Sequence, residues 1–126
     1  MLGPFLRHGS NTFLIVLLAV AATWFAVHGH LSLLGLLAGA LVFLVAEYTT
    51  HRYAFHAAPQ RSPFLRGLQH RLHYDHHVEP NRLDLLFLPL WFAIPAIAFY
   101  GAVYFAIVRN VDVALSMLCG SLIPLA

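Results

Sequence analysis

The chain has 126 residues, 60% of them hydrophobic and only 10% charged. Its formal charge of +2 comes from seven arginines and five acids with no lysine, too little to argue for a nucleic-acid partner. That composition excludes an ordinary soluble domain and fits helices whose apolar sides face lipid.

The expectation is one all-α unit over residues 1–126, an integral membrane helical bundle. It has three full spans, a truncated fourth, and an interfacial helix on the cytoplasmic side that carries histidines. The head MLGPFLRHGSN brings Arg7 and His8, with His8 read as a solvated or interfacial residue. No small-residue cleavage site follows the first apolar run, so no cleavable signal peptide is expected. The first span covers residues 12–29 and is apolar on every face, close to the roughly 20 residues that cross about 30 Å of hydrocarbon. Trp24 near its end suits an interfacial anchor, and His28-Gly29-His30 makes a tight turn.

The second span covers residues 31–50. Gly35 and Gly39 form a small-xxx-small step that admits another helix closely, and packing within the chain is favoured over a dimer contact. Glu47 is costly at this depth unless partnered, and it lies four residues before His51 on the same helix face. It is read as an acceptor that orients an imidazole, as a metal ligand itself, or as a carboxylate reaching the interface to pair with Arg52.

From His51 to His77 the chain reads HRYAFHAAPQRSPFLRGLQHRLHYDHH, and six of its nine histidines fall there. Neutral imidazole is the commonest protein ligand of zinc, copper and iron, so this stretch is a metal-site hypothesis. At about 100° per residue, His73, His76 and His77 share one arc of a helix. His51 and His56 fall about 140° apart on an ideal helix and would need a helix end, a kink or two metals to ligate. Ser62-Pro63 predicts a helix start, and the helix would run to about Val78 with Phe64, Leu65, Leu68 and Leu72 on its lipid side. Pro80 ends it.

The third span, residues 85–108, contains Pro89 and Pro95, which implies kinks. A fourth apolar segment, residues 111–126, is short for a crossing. Arg52, Arg61, Arg66, Arg71 and Arg82 lie between spans two and three, whereas the His28–His30 turn has no arginine. The positive-inside rule therefore predicts a cytoplasmic histidine cluster, together with the N-terminus and Arg7. Cys119 is alone, which permits neither an internal disulfide nor a Cys-x-x-Cys zinc site.

Two motifs carry a resemblance. E-Y-x-x-H-R-x-x-F-H from Glu47 to His56, then H-x-x-H-H at His73, His76 and His77 with Pro80 and an LLFLP run behind it, resembles the fatty acid hydroxylase and sterol desaturase superfamily. The likeness covers about residues 44–95. It implies His51, His56, His73, His76 and His77 as ligands of a dinuclear metal centre, iron by expectation with zinc as a substitute. His70 is then an additional neighbour or occasional ligand, and no catalytic residue is expected apart from the ligands. The family's second group of histidine boxes has no counterpart in these residues. The expectation is a fragment, a truncated product, or a site completed by a partner, with an oligomer possible. Family acyl 2-hydroxylases carry P-x-D-x-x-R-L after the histidine pair, where this chain has Pro80-Asn81-Arg82-Leu83-Asp84.

The activity so implied is O2-dependent hydroxylation or desaturation of a membrane lipid, foremost a fatty-acyl chain. Electrons would come from a separate cytochrome b5-like donor or a ferredoxin and its reductase, in a bacterial inner membrane or the endoplasmic reticulum. A carotenoid ring hydroxylase of the same superfamily is the second enzyme reading, though the 17 positions from His56 to His73 are more than its boxes lead one to expect. A non-enzymatic membrane haem or metal-binding protein is the third. It is disfavoured because His28 and His30 fall across the membrane from the cluster and the spans lack mid-bilayer ionisable residues.

Overall fold

The computed structural model describes residues 8–85 and 87–125, so Arg7 and Ala126 lie outside it. Every regular element among the described residues is helical. Helix α1 is Gly9–His28, and α2 is Leu33–Thr50, which continues as a π-helical turn, His51–Phe55. Helix α3, Pro63–Gln69, passes through a second π turn, His70–Tyr74, into α4, Asp75–Val78. A 3-10 turn at Leu83–Leu85 leads to α5, Leu90–Val108, and α6, Val111–Leu122, ends in another at Ile123–Leu125.

Three stretches, Gly9–His28, Leu33–Phe55 and Leu90–Val108, are long and apolar enough to cross a membrane, and α6 is a shorter apolar helix. Their ends follow local chemistry. Gly29, at φ 72°, closes α1 with its N–H on the Phe25 carbonyl at 2.7 Å. The Ser32 hydroxyl caps α2 by accepting from the Gly35 N–H at 3.0 Å, and Asn110 caps α6 by accepting from Val113. The third long helix starts at Leu90, later than the expected 85, because Pro89 is extended at φ −67°, ψ 145° and stands as its N-cap. Pro89 therefore cannot kink that helix, and only Pro95 lies inside it. His8 is half-buried against the Phe87 ring, 4.8 Å between centroids.

Helix α6 is the best-covered element, with Ala114, Ser116, Cys119, Gly120, Ser121 and Leu122 buried. It packs on α2 through the glycines. A Cβ at Gly39 would overlap the Met117 carbonyl, and one at Gly120 would overlap that of Leu36. One at Gly35 would stand 3.0 Å from the Ser116 Cβ. The small-residue step thus serves contact within the chain. At the other end of α2, the start of α1 meets the approach to α5, where the Ser10 hydroxyl donates to the Leu88 carbonyl. The histidine-bearing turns lie at that end, while His28 and His30 lie at the opposite one.

Candidate metal centre

The first π turn removes the angular conflict between His51 and His56. In an α-helix residues five apart diverge, but a π turn closes through an i→i+5 bond that brings them over one another. The His56 N–H donates to the His51 carbonyl at 3.1 Å, and the two Nε2 atoms come within 3.1 Å. The second π turn does the same for His70 and Asp75, whose Nδ1 and Oδ1 stand 3.4 Å apart. His70 is thereby turned towards Asp75 and the Tyr74 ring, and it belongs to neither of the groups that could hold a metal.

His73 is the hub. It is 2% exposed, and its Nε2 lies 3.1 Å from that of His56 and 3.0 Å from that of His77. Its ring also meets those of His51 and His76, with centroids 4.4 and 4.8 Å away. Two triads result, His51–His56–His73 and His73–His76–His77, each with ligand atoms within 4.8 Å of one another.

The donor set fits a cation better than it fits a hydrogen-bonded ring cluster. Each imidazole Nε2 carries either one proton or one lone pair. The four Nε2 atoms of His51, His56, His73 and His77 can pair off at most twice, yet they make three contacts, at 3.1, 3.1 and 3.0 Å. Converging lone pairs on a shared ion resolve this. Two nitrogens each about 2.1 Å from an ion, at right angles, are about 3.0 Å apart. Burial pushes His73 down to about 4, and His51, His77, His76 and His56 push the same way. His76 is lowered too, by burial and then by His77 and His51. Rings that resist protonation keep their lone pairs available to a metal.

Glu47 lies behind His51, with Oε1 3.8 Å from Nδ1, while the ring's Nε2 faces His56. That is where an orienting carboxylate belongs, outside the ligand atom. Arg52 turns to Tyr48 instead, its guanidinium donating to the Tyr48 hydroxyl at 2.8 Å.

Three further residues hold the site, of which only Phe55 stands in a motif, as the F before His56. Gln69, 4% exposed, donates its amide to the carbonyls of Ala54 at 2.9 Å and Ala57 at 3.2 Å and accepts from the Gln60 N–H at 3.3 Å. The Tyr74 hydroxyl also donates to Ala57. Together they tie α3 and the second π turn to the carbonyls left open where the first turn ends. Phe55 stacks on His73, centroids 5.2 Å apart and planes 11° from parallel. The signal available was the helix end itself, since a chain reversal after His56 leaves carbonyls that need donors.

Next to this cluster, between α1, α2 and α5, lies a partly open cavity of about 240 Å³. Leu14, Phe43 and Phe92 are among its walls, and Glu47, Thr50 and Phe55 line it from the histidine-bearing strand of helix. Comparison with protein-family models, with curated proteins and with solved structures finds no match. The superfamily resemblance therefore rests on the histidine boxes and their spacing.

Proposed function

We propose that this chain supplies the histidine ligands of a membrane-boundary dinuclear iron centre that oxidises a C–H bond of a lipid, foremost a fatty-acyl chain. The observation that carries the reading is the place of His73, common to two imidazole triads in which each ring offers a ligand nitrogen within 4.8 Å of the others. When bound, iron held by neutral nitrogens would supply O2 activation. In hydroxylation one oxygen atom would enter the C–H bond and the other leave as water, and in desaturation both would leave as water; either needs two electrons and two protons from outside the chain, from a cytochrome b5-like or ferredoxin-type donor.

The chain's own residues bind and orient. His51 and His56 form one ligand pair through the first π turn, and His76 and His77 extend the set from α4. Glu47 stands 3.8 Å behind the outer nitrogen of His51, placed to orient it, and Gln69 holds the two ligand-bearing segments together. One Nε2 lone pair serves one ion, so five imidazoles leave positions on two ions for water, oxygen or donors from elsewhere. The cluster lies at the arginine-rich end of the long helices, which the positive-inside rule places on the cytoplasmic side.

The test is iron analysis of the full chain purified in lipid nanodiscs, followed by incubation with an acyl lipid, O2 and a chemical reductant. The expected result is two irons per chain without a Soret band, and a hydroxylated or desaturated acyl product. A Soret band would replace the reading with a haem protein, a hydroxylated carotenoid would change the substrate class, and a protein that takes up no iron would end it.

A further inference from the structure

Phe55 is an aromatic ring shared by the imidazole cluster and the cavity beside it. One face covers His73, and the ring also stands edge-on to His51, with centroids 6.5 Å apart and planes at 75°. The same residue lines the cavity beside Thr50 and Glu47, and no histidine is among the cavity's lining residues. A molecule in the cavity approaches the cluster at this end past the Phe55 side chain, the lining residue whose ring meets those of His73 and His51. The π turn fixes the ring in that position. Phe55 is the last residue of His51–Phe55, and the carbonyls of Ala54 and Ala57 on either side of it are held by Gln69.

The occupant is set by the walls. Leu14, Phe43, Phe92 and Ile97 come from three helices apolar enough to sit in lipid, and apolar side chains dominate the wall, with Ser10, Asn11, Thr50 and Glu47 the polar groups nearest the histidine end, so a mainly polar guest would lose its water for few partners. A single hydrocarbon chain loses nothing there. We infer that Phe55 is a specificity-determining residue: it stops a hydrocarbon chain in the cavity at a set distance from the histidine cluster and thereby selects the carbon that is oxidised. The inference rests on the metal-centre reading above and adds the residue that sets the position of attack.

A paramagnetic distance measurement tests it without relying on turnover. The full chain in nanodiscs is loaded with Co(II), and a long-chain fatty acid with a terminal trifluoromethyl group is added. The metal-induced ¹⁹F relaxation is compared among wild type, Phe55→Leu, Phe55→Ala and Phe55→Trp. The Co(II) absorption spectrum in each variant reports that the ligand set is intact, and Phe55→Leu keeps the test open should the alanine variant not fold. The expected result is relaxation that differs at least twofold between the smallest and largest side chains, with an unchanged Co(II) spectrum. In the iron-loaded protein the oxidised position should shift by one or more carbons. Co(II) bound normally with the same relaxation in every variant would overturn the role of Phe55 alone. A wild-type chain that takes up no Co(II) would overturn the metal centre and this inference with it.

Discussion

Along α2 the chain passes from a stretch where side chains are missing to one where they crowd. At Gly35 and Gly39 the helix lies so close to α6 that an added Cβ meets Ser116 or the Met117 carbonyl, and Gly120 answers from the other side. At His51, one helix end away, four imidazoles surround a fifth whose nitrogen contacts cannot all be hydrogen bonds. The first contact is complete as it stands, because backbone meets backbone with no group left unsatisfied. The second, on the metal-centre reading proposed above, gains its full stability only from something that takes up the lone pairs. The bundle should therefore be sensitive to added volume at the glycines, and the histidine end to what it binds.

The largest expected effect tests the close contact. Gly39→Ala forces α2 and α6 apart, at a cost of about 3 kcal/mol or more, since the obstacle is a carbonyl that cannot rotate away. Gly67→Ala, where a Cβ meets nothing within 4 Å in an exposed helix, should instead stabilise by about 0.5–1 kcal/mol. Thermal melts of the two variants in detergent check the pair. Equal melting temperatures would remove the glycine contact from the account.

The next test falls on the histidine end. His73→Ala removes the one imidazole that belongs to both triads and should lose the most iron, whereas His51→Ala and His76→Ala each touch a single triad and should lose less. Iron analysis of the three variants side by side decides this. Equal losses would mean that the triads act as one site, and full retention in His73→Ala would remove it as the hub.

A smaller effect follows from acid. In chelator-treated protein His73 titrates near 4 when folded, below the ordinary 6.5. The unfolded chain then binds the proton more readily, so stability is complete above about pH 6.5 and declines as the pH falls towards 4. Melts of the metal-free protein across that window should show the decline, and His73→Gln should flatten it. A wild-type curve that is flat from 7 to 4 would contradict the lowered value.

Much of this was legible in the residues. Spans one and two, the Gly29 turn, the intrachain use of Gly35 and Gly39, and the shared arc of His73, His76 and His77 all follow from local patterns of one helix. The pairing of His51 with His56 was not, because a π turn depends on carbonyls that Gln69 satisfies from 15 residues away. Nor was the start of α5 at Leu90, where Pro89 could have stood inside a kinked helix or before it. The roles of Gln69, Tyr74 and Phe55 belong to contacts between segments, which spacing alone does not encode.

The smallest expected effect sharpens the contrast within the glycine-packed half. The Tyr104 hydroxyl lies 2.7 Å from the Ser121 Oγ, and Ser121 in turn donates to the Gly39 carbonyl at 2.9 Å or the Met117 carbonyl at 3.1 Å. Ser121 has one proton, so with that proton on a carbonyl the bond to Tyr104 must be donated by the phenol. Tyr104→Phe then deletes a donor and leaves Ser121 with its own acceptor, at a cost of about 0.6 kcal/mol. Ser121→Ala should cost more, about 1–3 kcal/mol, because it strands a buried phenol that is only 2% exposed. Melting curves of the two variants give the order. If Tyr104→Phe proved the more damaging, the proton would run from Ser121 to Tyr104, and the carbonyls of the close contact would be satisfied by their helices alone.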